Sequence, residues 1–407
     1  MKIAMISEHA SPLATLGRAD GGGQNVHVGA LSRALAARGH HVVIYTRRDA
    51  PRLPDRVPIC EGVVVEHVPA GPPSAVAKDD ILPFVPDFAA YLGRRLAVDP
   101  PDVVHAHFWM SGLAALQATG TLTLPIVQTF HALGSVKRRF HGSDDPSPPQ
   151  RVKVETLIGR RVAQVIASCP DEVRELRRMG IGYQQVTVIP CGVDLERFQP
   201  VEGSPPPRNG VRLLSIGRLV PRKGVDDVIR ALAKVPGAVT LTVAGGSPSA
   251  ELDSDAEVCR LRTLAARVGV AGRVRFLGQV RHDEVPALIR AADLVVCTPW
   301  YEPFGMVALE AMACGVPIVA SAVGGLQDTV IPGVTGELVP PRSPDHLAYA
   351  LRRLLADPVR MQGYRFAAVD RVRAAFSWER VGEATETVYA RVAARTASTS
   401  VAAQVAS

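Results

Sequence analysis

The stretch Tyr301–Gly325, YEPFGMVALEAMACGVPIVASAVGG, decides the architecture. The apolar run before it, Leu294 to Thr298, reads as a buried parallel strand, so Pro303-Phe304-Gly305 forms the loop at that strand's carboxyl end. Open α/β sheets bind ligands at that edge. Met306 and Val307 then open a helix whose free N–H groups and dipole suit a phosphate. Two carboxylates flank the turn. Glu310, about one turn into the helix, can accept two hydrogen bonds from a vicinal diol such as that of a ribose, and Glu302 is placed for hexose hydroxyls. Taken singly, each glutamate reads more economically as a solvated helix residue or an N-terminal helix charge. The whole pattern of strand, Glu, Pro-Phe-Gly, helix, Glu and Gly-Val-Pro strand outlines a sugar-nucleotide site.

Working outward, short apolar runs alternate with helical patterns almost throughout. Ile3–Ile6, a helix from about Gln24 to Arg38, His41–Thr46, Val103–Ala106, Ile126–Thr129, Val165–Ser168 and Val186–Ile189 come first. The rhythm pauses at the Pro-rich run 199–210 and resumes with Val211–Ile216, Val239–Ala244, Val274–Leu277, Leu294–Thr298 and Ile318–Ser321. This is βαβ order, which predicts parallel sheets covered on both faces. The expectation is an α/β protein of two Rossmann-like, doubly wound domains facing a cleft, 1–198 and 199–376. The end of the chain reads as helical from about Pro344 to Arg395, restarting at Ser377, a helix N-cap signal. The helix of about 377–395 is expected to cross back to the first domain, and the Ala/Ser/Thr-rich tail 396–407 reads as disorder.

At 407 residues the chain exceeds a single core, and two domains follow. Net charge is +7, carried mostly by Arg, with Lys only at positions 2, 78, 137, 153, 223 and 234. No basic run is interleaved with aromatics, so the excess fits an anionic small substrate, or scattered Arg usage, better than a nucleic-acid groove, and no nucleic-acid partner is expected. No segment has 18 consecutive apolar residues and no signal h-region opens the chain, so stable membrane insertion is not expected. Six cysteines without a CxxC pair make the reducing cytoplasm the expected setting. A homodimer is left open.

Further candidate residues lie at other strand ends. Ser215-Ile216-Gly217-Arg218-Leu219-Val220-Pro221-Arg222-Lys223-Gly224 sets two cations in a loop before a helix, where Arg218 as a fork and Lys223 as a compact charge can converge on one diphosphate. An exposed basic pair is the bland alternative. After the first strand, Glu8-His9 and the loop Asp20-Gly21-Gly22-Gly23-Gln24-Asn25 open a helix, and the glycines let backbone N–H groups approach a ligand closely. This run does not match G-x-G-x-x-G, and it also reads as a flexible connection. His105, His107 and His131 end two more strands. A zinc site from them is conceivable but lacks a fixed third ligand, so no metal is expected, and His105 reads as a satisfied core residue. His131 is the best placed to touch a transferred sugar. Lys78, Lys137, Arg138 and Arg151 are expected to make the acceptor side basic, although each alone reads as a solvated charge.

With these segments quoted, the chain resembles the retaining GT-B glycosyltransferases of the family 4-like group that includes sucrose-phosphate synthases and the inositol-phosphate N-acetylglucosaminyltransferase of mycothiol biosynthesis. The likeness runs nearly end to end through DGGGQNVHVGALSRAL, HAHFWMSG, FHALGSVKRR, VIPCGVDLERF, SIGRLVPRKG, EPFGMVALEAMACGVPIVA and FSWERV. The resemblance implies that His9, Gly22 and Gly23 approach the donor. It further implies that Gly217, Arg218, Lys223 and Arg281 hold the diphosphate side, that Glu310 takes the ribose, and that Glu302 with Phe304, Gly305, Met306 and Val307 takes the hexose. His131, Arg218, Lys223 and Glu302 would act in catalysis. Acceptor roles are implied for Asp20, Gln24, Asn25, Lys78, Phe108, Ala132 and Arg151. The mycothiol enzyme carries a tyrosine and a threonine where this chain has Phe108 and Ala132, and two lost hydroxyls cost about 1–3 kcal/mol each in phosphate binding.

The expected reaction is therefore transfer, with retention, of a hexose or N-acetylhexosamine from a nucleoside-diphosphate sugar to a small polar, anionic acceptor: an inositol phosphate, a sugar phosphate or a natural-product precursor. No cofactor and no obligatory metal are expected, the sugar nucleotide being a co-substrate. A sugar-nucleotide 2-epimerase and a non-catalytic sugar-nucleotide-binding protein are the alternatives.

Overall fold

The computed structural model describes residues 1–14, 22–120, 122–142, 145–201 and 210–405, and the chain divides into two compact units, Met1–Cys191 with Trp378–Ser407, and Gly192–Ser377. Asp20, expected on the acceptor side, and residues 202–209 of the Pro-rich run lie outside the described residues.

In the first unit the elements are β1 (Lys2–Ile6), α1 (Gly23–Ala36), β2 (His41–Arg47), β3 (Arg56–Cys60), β4 (Val63–Val68), α2 (Val85–Val98), β5 (Val103–His107), α3 (Trp109–Ala118), β6 (Ile126–Thr129), α4 (Gly134–His141), α5 (Arg151–Arg161), β7 (Gln164–Ala167), α6 (Pro170–Arg178) and β8 (Val186–Val188). They build one sheet of order β3-β4-β2-β1-β5-β6-β7-β8. All pairs are parallel except the β3/β4 hairpin at one edge. The order reverses between β1 and β5, so the carboxyl ends of those strands form the crevice where such sheets take ligands.

The second unit contains β9 (Val211–Ile216), α7 (Val225–Leu232), β10 (Val239–Ala244), α8 (Ala256–Arg267), β11 (Val274–Gly278), α9 (Val285–Arg290), β12 (Leu294–Cys297), α10 (Met306–Ala313), β13 (Ile318–Ser321), α11 (Leu326–Thr329), β14 (Gly336–Val339), α12 (Pro344–Leu355) and α13 (Pro358–Ala375). Its all-parallel sheet has the order β11-β10-β9-β12-β13-β14 and reverses between β9 and β12. One apolar layer packs α7, α8 and α12 on the sheet and another packs α9, α10 and α13, so both faces are covered.

The chain leaves the first unit at Cys191, earlier than the 198/199 boundary read from proline content. Packing explains the shift. Val193 and Phe198 are buried in the second unit's core, and the Val193 amide donates to the Phe376 carbonyl at 2.8 Å. Helix α14 (Trp378–Val405) then returns to the first unit immediately after Ser377. Val381, Val388, Tyr389 and Val392 fill the core beneath β1 and β5, Arg38 pairs with Glu386, and the Tyr389 hydroxyl lies 2.6 Å from His105 Nδ1. The tail read as disorder from 396 is helical as far as Val405. No helix among the described residues is long and apolar enough to cross a membrane.

Candidate functional site

In the second unit, the loops after β9 and β12 are laced to each other. Trp300 N donates to Arg222 O at 2.8 Å, Thr298 Oγ1 donates to Gly224 O at 2.9 Å, and the Arg222 guanidinium reaches Tyr301 O at 3.4 Å. Gly224 caps α7 in the left-handed region, φ 68°, and a β-carbon there would fall within 3.0 Å of the Thr298 carbonyl. Only glycine fits that close approach. The lacing brings Lys223 Nζ onto Glu302 Oε2. Burial would raise the Glu302 carboxyl, but Lys223, Arg222 and Arg218 outweigh it and hold the group below the usual carboxylate range. Arg218, Lys223 and Glu302 therefore form one cluster. A crevice lined by Gly217, Arg218, Lys223, Cys297 and Thr298 adjoins it.

The last two glycines of the opening stretch fix this loop from beneath. Gly325 N donates to Glu302 O at 3.0 Å, and a β-carbon at Gly324 or Gly325 would crowd the carbonyls of Glu302 and Pro303. Gly305, φ 78°, starts α10, so Met306 and Val307 present the helix N-terminus beside the cluster. Glu310 lies one turn further and is 7% exposed. Its carboxyl has no hydrogen-bond partner among the described residues, and burial pushes it up to about 8, against a smaller pull from Arg197. A desolvated acid without donors is poised to take hydroxyl hydrogens from a ligand. Arg281 is not brought to the cluster. It is exposed and holds Asp283 through Nε and Nη2 at 3.0 and 2.8 Å.

In the first unit the crevice between β1 and β5 gathers His9, Phe108 and His131. Glu8, 2% exposed, binds His9 Nδ1 at 2.7 Å through one oxygen and Ser111 Oγ through the other. The His9 ring meets Phe108 edge-on at 4.8 Å between centroids. Phe108 and His131 both adopt left-handed backbone, φ 81° and 61°, unusual for bulky residues and typical of strained functional turns. Lys78 Nζ lies 5.5 Å and the Arg151 guanidinium 5.0 Å from the Phe108 ring centre. Arg151 is buried and committed: it donates to Glu155, Ser147 and the Ala132 carbonyl at 2.7, 3.1 and 2.6 Å. Lys137 pairs with Asp145 at 3.0 Å. Gln24 donates to Ser7 Oγ and His107 O. Asn25 accepts from Gly22 N and donates to Ser11 O, so both side chains brace the loop at the start of α1.

The histidines form a neutral cluster. Burial drives His27 down to about 4 and His105 to about 3, with His107 and His131 also well below the imidazole range. His107 Nδ1 lies 2.9 Å from His131 Nε2, and His105 is satisfied by Tyr389 and Thr129. Among the described residues no group of three or more His, Cys, Asp or Glu is arranged to hold a metal ion.

Two family models cover this layout: "Glycosyltransferase Family 4" matches residues 21–197 and "Glycosyl transferases group 1" matches 201–368. The D-inositol 3-phosphate glycosyltransferase 1 of Catenulispora acidiphila is 38% identical over 402 residues, 95% of either chain. That of Mycobacterium tuberculosis is 38% identical over 96% of this chain and 83% of its own. Among solved structures, a sucrose-phosphate synthase from Thermosynechococcus elongatus superposes with a TM-score of 0.88 at 35% identity, covering 97% of this chain and 99% of that one.

The chain belongs to the GT-B glycosyltransferases. In this glycosyltransferase, Arg218, Lys223 and Glu302 come from segments about 80 positions apart in sequence and meet because β9 and β12 are sheet neighbours. Sequence reasoning missed the pairings that hold residues in place: Glu8 and Ser111 behind His9, Glu155 behind Arg151, and His107 behind His131. Acidic and histidine residues in strand-end positions were the available signal, but the His107–His131 and Glu8–Ser111 partners lie 24 and 103 positions apart.

Proposed function

We propose that this glycosyltransferase moves a hexose or N-acetylhexosamine from a nucleoside-diphosphate sugar to a small anionic polyol, with retention at the anomeric carbon. The convergence of Arg218 and Lys223 on Glu302, beside the N-terminus of α10, carries the reading. A diphosphate entering there replaces the Glu302 carboxylate as partner of Lys223, and Glu302 is released toward sugar hydroxyls. The two cations and the helix N-terminus stabilise the charge that develops on the leaving diphosphate, and electrostatic stabilisation of this sort is the largest contribution to the rate of such a transfer. They supply the neutralisation that a metal would otherwise give, so an obligatory metal is not proposed.

The relatives' names, an inositol 3-phosphate enzyme and a sucrose-phosphate synthase, support a phosphorylated polyol as acceptor. Lys78 provides the cation on that side. Phe108 and Ala132 offer no side-chain hydroxyl, which favours an acceptor other than D-inositol 3-phosphate. Six free cysteines fit action in the cytoplasm.

The test is a thermal-shift screen of UDP-, GDP-, ADP- and dTDP-sugars, followed by acceptor screening with the best donor, in EDTA and without it, and mass detection of product. A glycoside formed equally well in EDTA supports the proposal. Isomerised donor without acceptor would make the protein an epimerase, and tight donor binding with neither glycoside nor donor hydrolysis would make it a sensor.

Donor affinity should also depend on pH through Glu310. Its folded value of about 8 means that the free protein holds the proton at neutral pH, whereas two ribose hydroxyls favour the ionised form. Binding then releases a proton, so affinity rises with pH by up to about tenfold per unit and levels above about 8. Titration calorimetry of wild type against Glu310→Gln reads this, since the glutamine variant should be flat. Two parallel profiles would remove Glu310 from the ribose.

A further inference from the structure

We propose that Arg47 is a positioning residue for Lys78, acting as a staple that fixes the exposed segment on which Lys78 rides; the inference rests on the reading that Lys78 faces the acceptor. Arg47 ends β2 and is 5% exposed. Its guanidinium makes no ion pair among the described residues. Instead Nη1 donates to Pro72 O at 2.7 Å and to Arg48 O at 3.1 Å, and Nη2 donates to Ser74 O at 2.7 Å.

The segment it grips has little else to hold it. Residues 71–75 are all exposed, and within it only Ser74 N to Pro72 O closes a backbone turn before the 3-10 turn that begins at Lys78. Gly71, φ 70°, sits against the Phe84 ring at the start of the run. From Gly71 to Ala77, the hydrogen bonds to the body of the unit among the described residues are those from the Arg47 fork. A planar guanidinium can bind two carbonyls in fixed directions, which an ammonium cannot reproduce. Arg47 and Lys78 line the same cleft, with His9 and Asn25. Moving residues 72–77 therefore moves Lys78 off the Phe108 ring, while the donor-side cluster Arg218, Lys223 and Glu302 belongs to the other unit.

The experiment uses the full chain with Arg47→Lys, which keeps the charge, Arg47→Met, Lys78→Ala and the two double variants. Hydrogen–deuterium exchange needs no acceptor: Arg47→Lys should lose roughly tenfold protection at residues 72–78 and little elsewhere. Steady-state kinetics with the acceptor found by the screen should show KM for acceptor raised on the order of tenfold, with donor KM unchanged, and that rise should vanish when Lys78 is already Ala. Unchanged exchange at 72–78, or a KM effect of the same size without Lys78, would overturn the proposal. Local loosening with a Lys78→Ala variant of normal acceptor KM would leave the staple standing and remove Lys78 from acceptor binding.

Discussion

Lys223→Ala is expected to lower turnover by about 100-fold or more, with donor KM moving far less, because a cation that neutralises a leaving diphosphate acts chiefly in the transition state. The structure adds a second consequence. Lys223 Nζ sits on Glu302, so removing it leaves a largely buried carboxylate with only Arg222 and Arg218 nearby. The two residues are coupled, and coupled residues are not additive. The double variant Lys223→Ala/Glu302→Gln should cost little more than the worse single change. Initial rates under saturating donor read both effects. A loss below threefold for Lys223→Ala would strike it from the mechanism.

Gly224→Ala should be among the most damaging small substitutions in the second unit. It demands a left-handed alanine, φ 68°, and also sets a β-carbon against the Thr298 carbonyl, so the loops after β9 and β12 must part. Strain and overpacking together cost about 3 kcal/mol or more. For a unit of this size that corresponds to a fall of about 6–12 °C in its melting transition. Gly237 provides the control. It shares the left-handed backbone, φ 87°, yet has nothing within 4 Å of an added β-carbon, so Gly237→Ala should cost only about 1 kcal/mol and leave turnover intact. Calorimetry with parallel rate measurements compares the two, and equal effects would show that the carbonyl contact is unimportant.

The inner parallel strands were legible because each is a short segment rich in Val, Ile and Leu bounded by turn residues. Val211–Ile216, Val239–Ala244, Ile126–Thr129 and Ile318–Ser321 have the same bounds in sequence pattern and structure. The edges were harder. β3 contains Pro58 and is half exposed, and β14 is four residues after a turn, so neither shows such a run. The unit boundary was misread because proline content marks stiffness, whereas the true crossing follows the burial of Val193 and Phe198.

At the site, contiguous signals were readable: glycine before a helix, glutamate after a strand, paired cations in a loop. Pairings across the fold were not. Nothing near Lys223 announces that Glu302 will bind it, and nothing near Phe108 or His131 announces a left-handed backbone, because bulky residues carry no conformational mark of it. Arg151 illustrates the cost of judging a cation by charge alone, since its guanidinium is spent on Glu155, Ser147 and a carbonyl.

Helix α14 has a consequence for how the molecule is made. Val381, Val388, Tyr389 and Val392 belong to the core under β1 and β5, and Tyr389 satisfies the buried His105. The unit translated first is thus incomplete until residues near 390 emerge, while Gly192–Ser377 is contiguous and can close earlier. During synthesis the usual N-terminal-first order is therefore expected to invert, the nascent β1–β5 sheet lacking part of its apolar cover until α14 emerges.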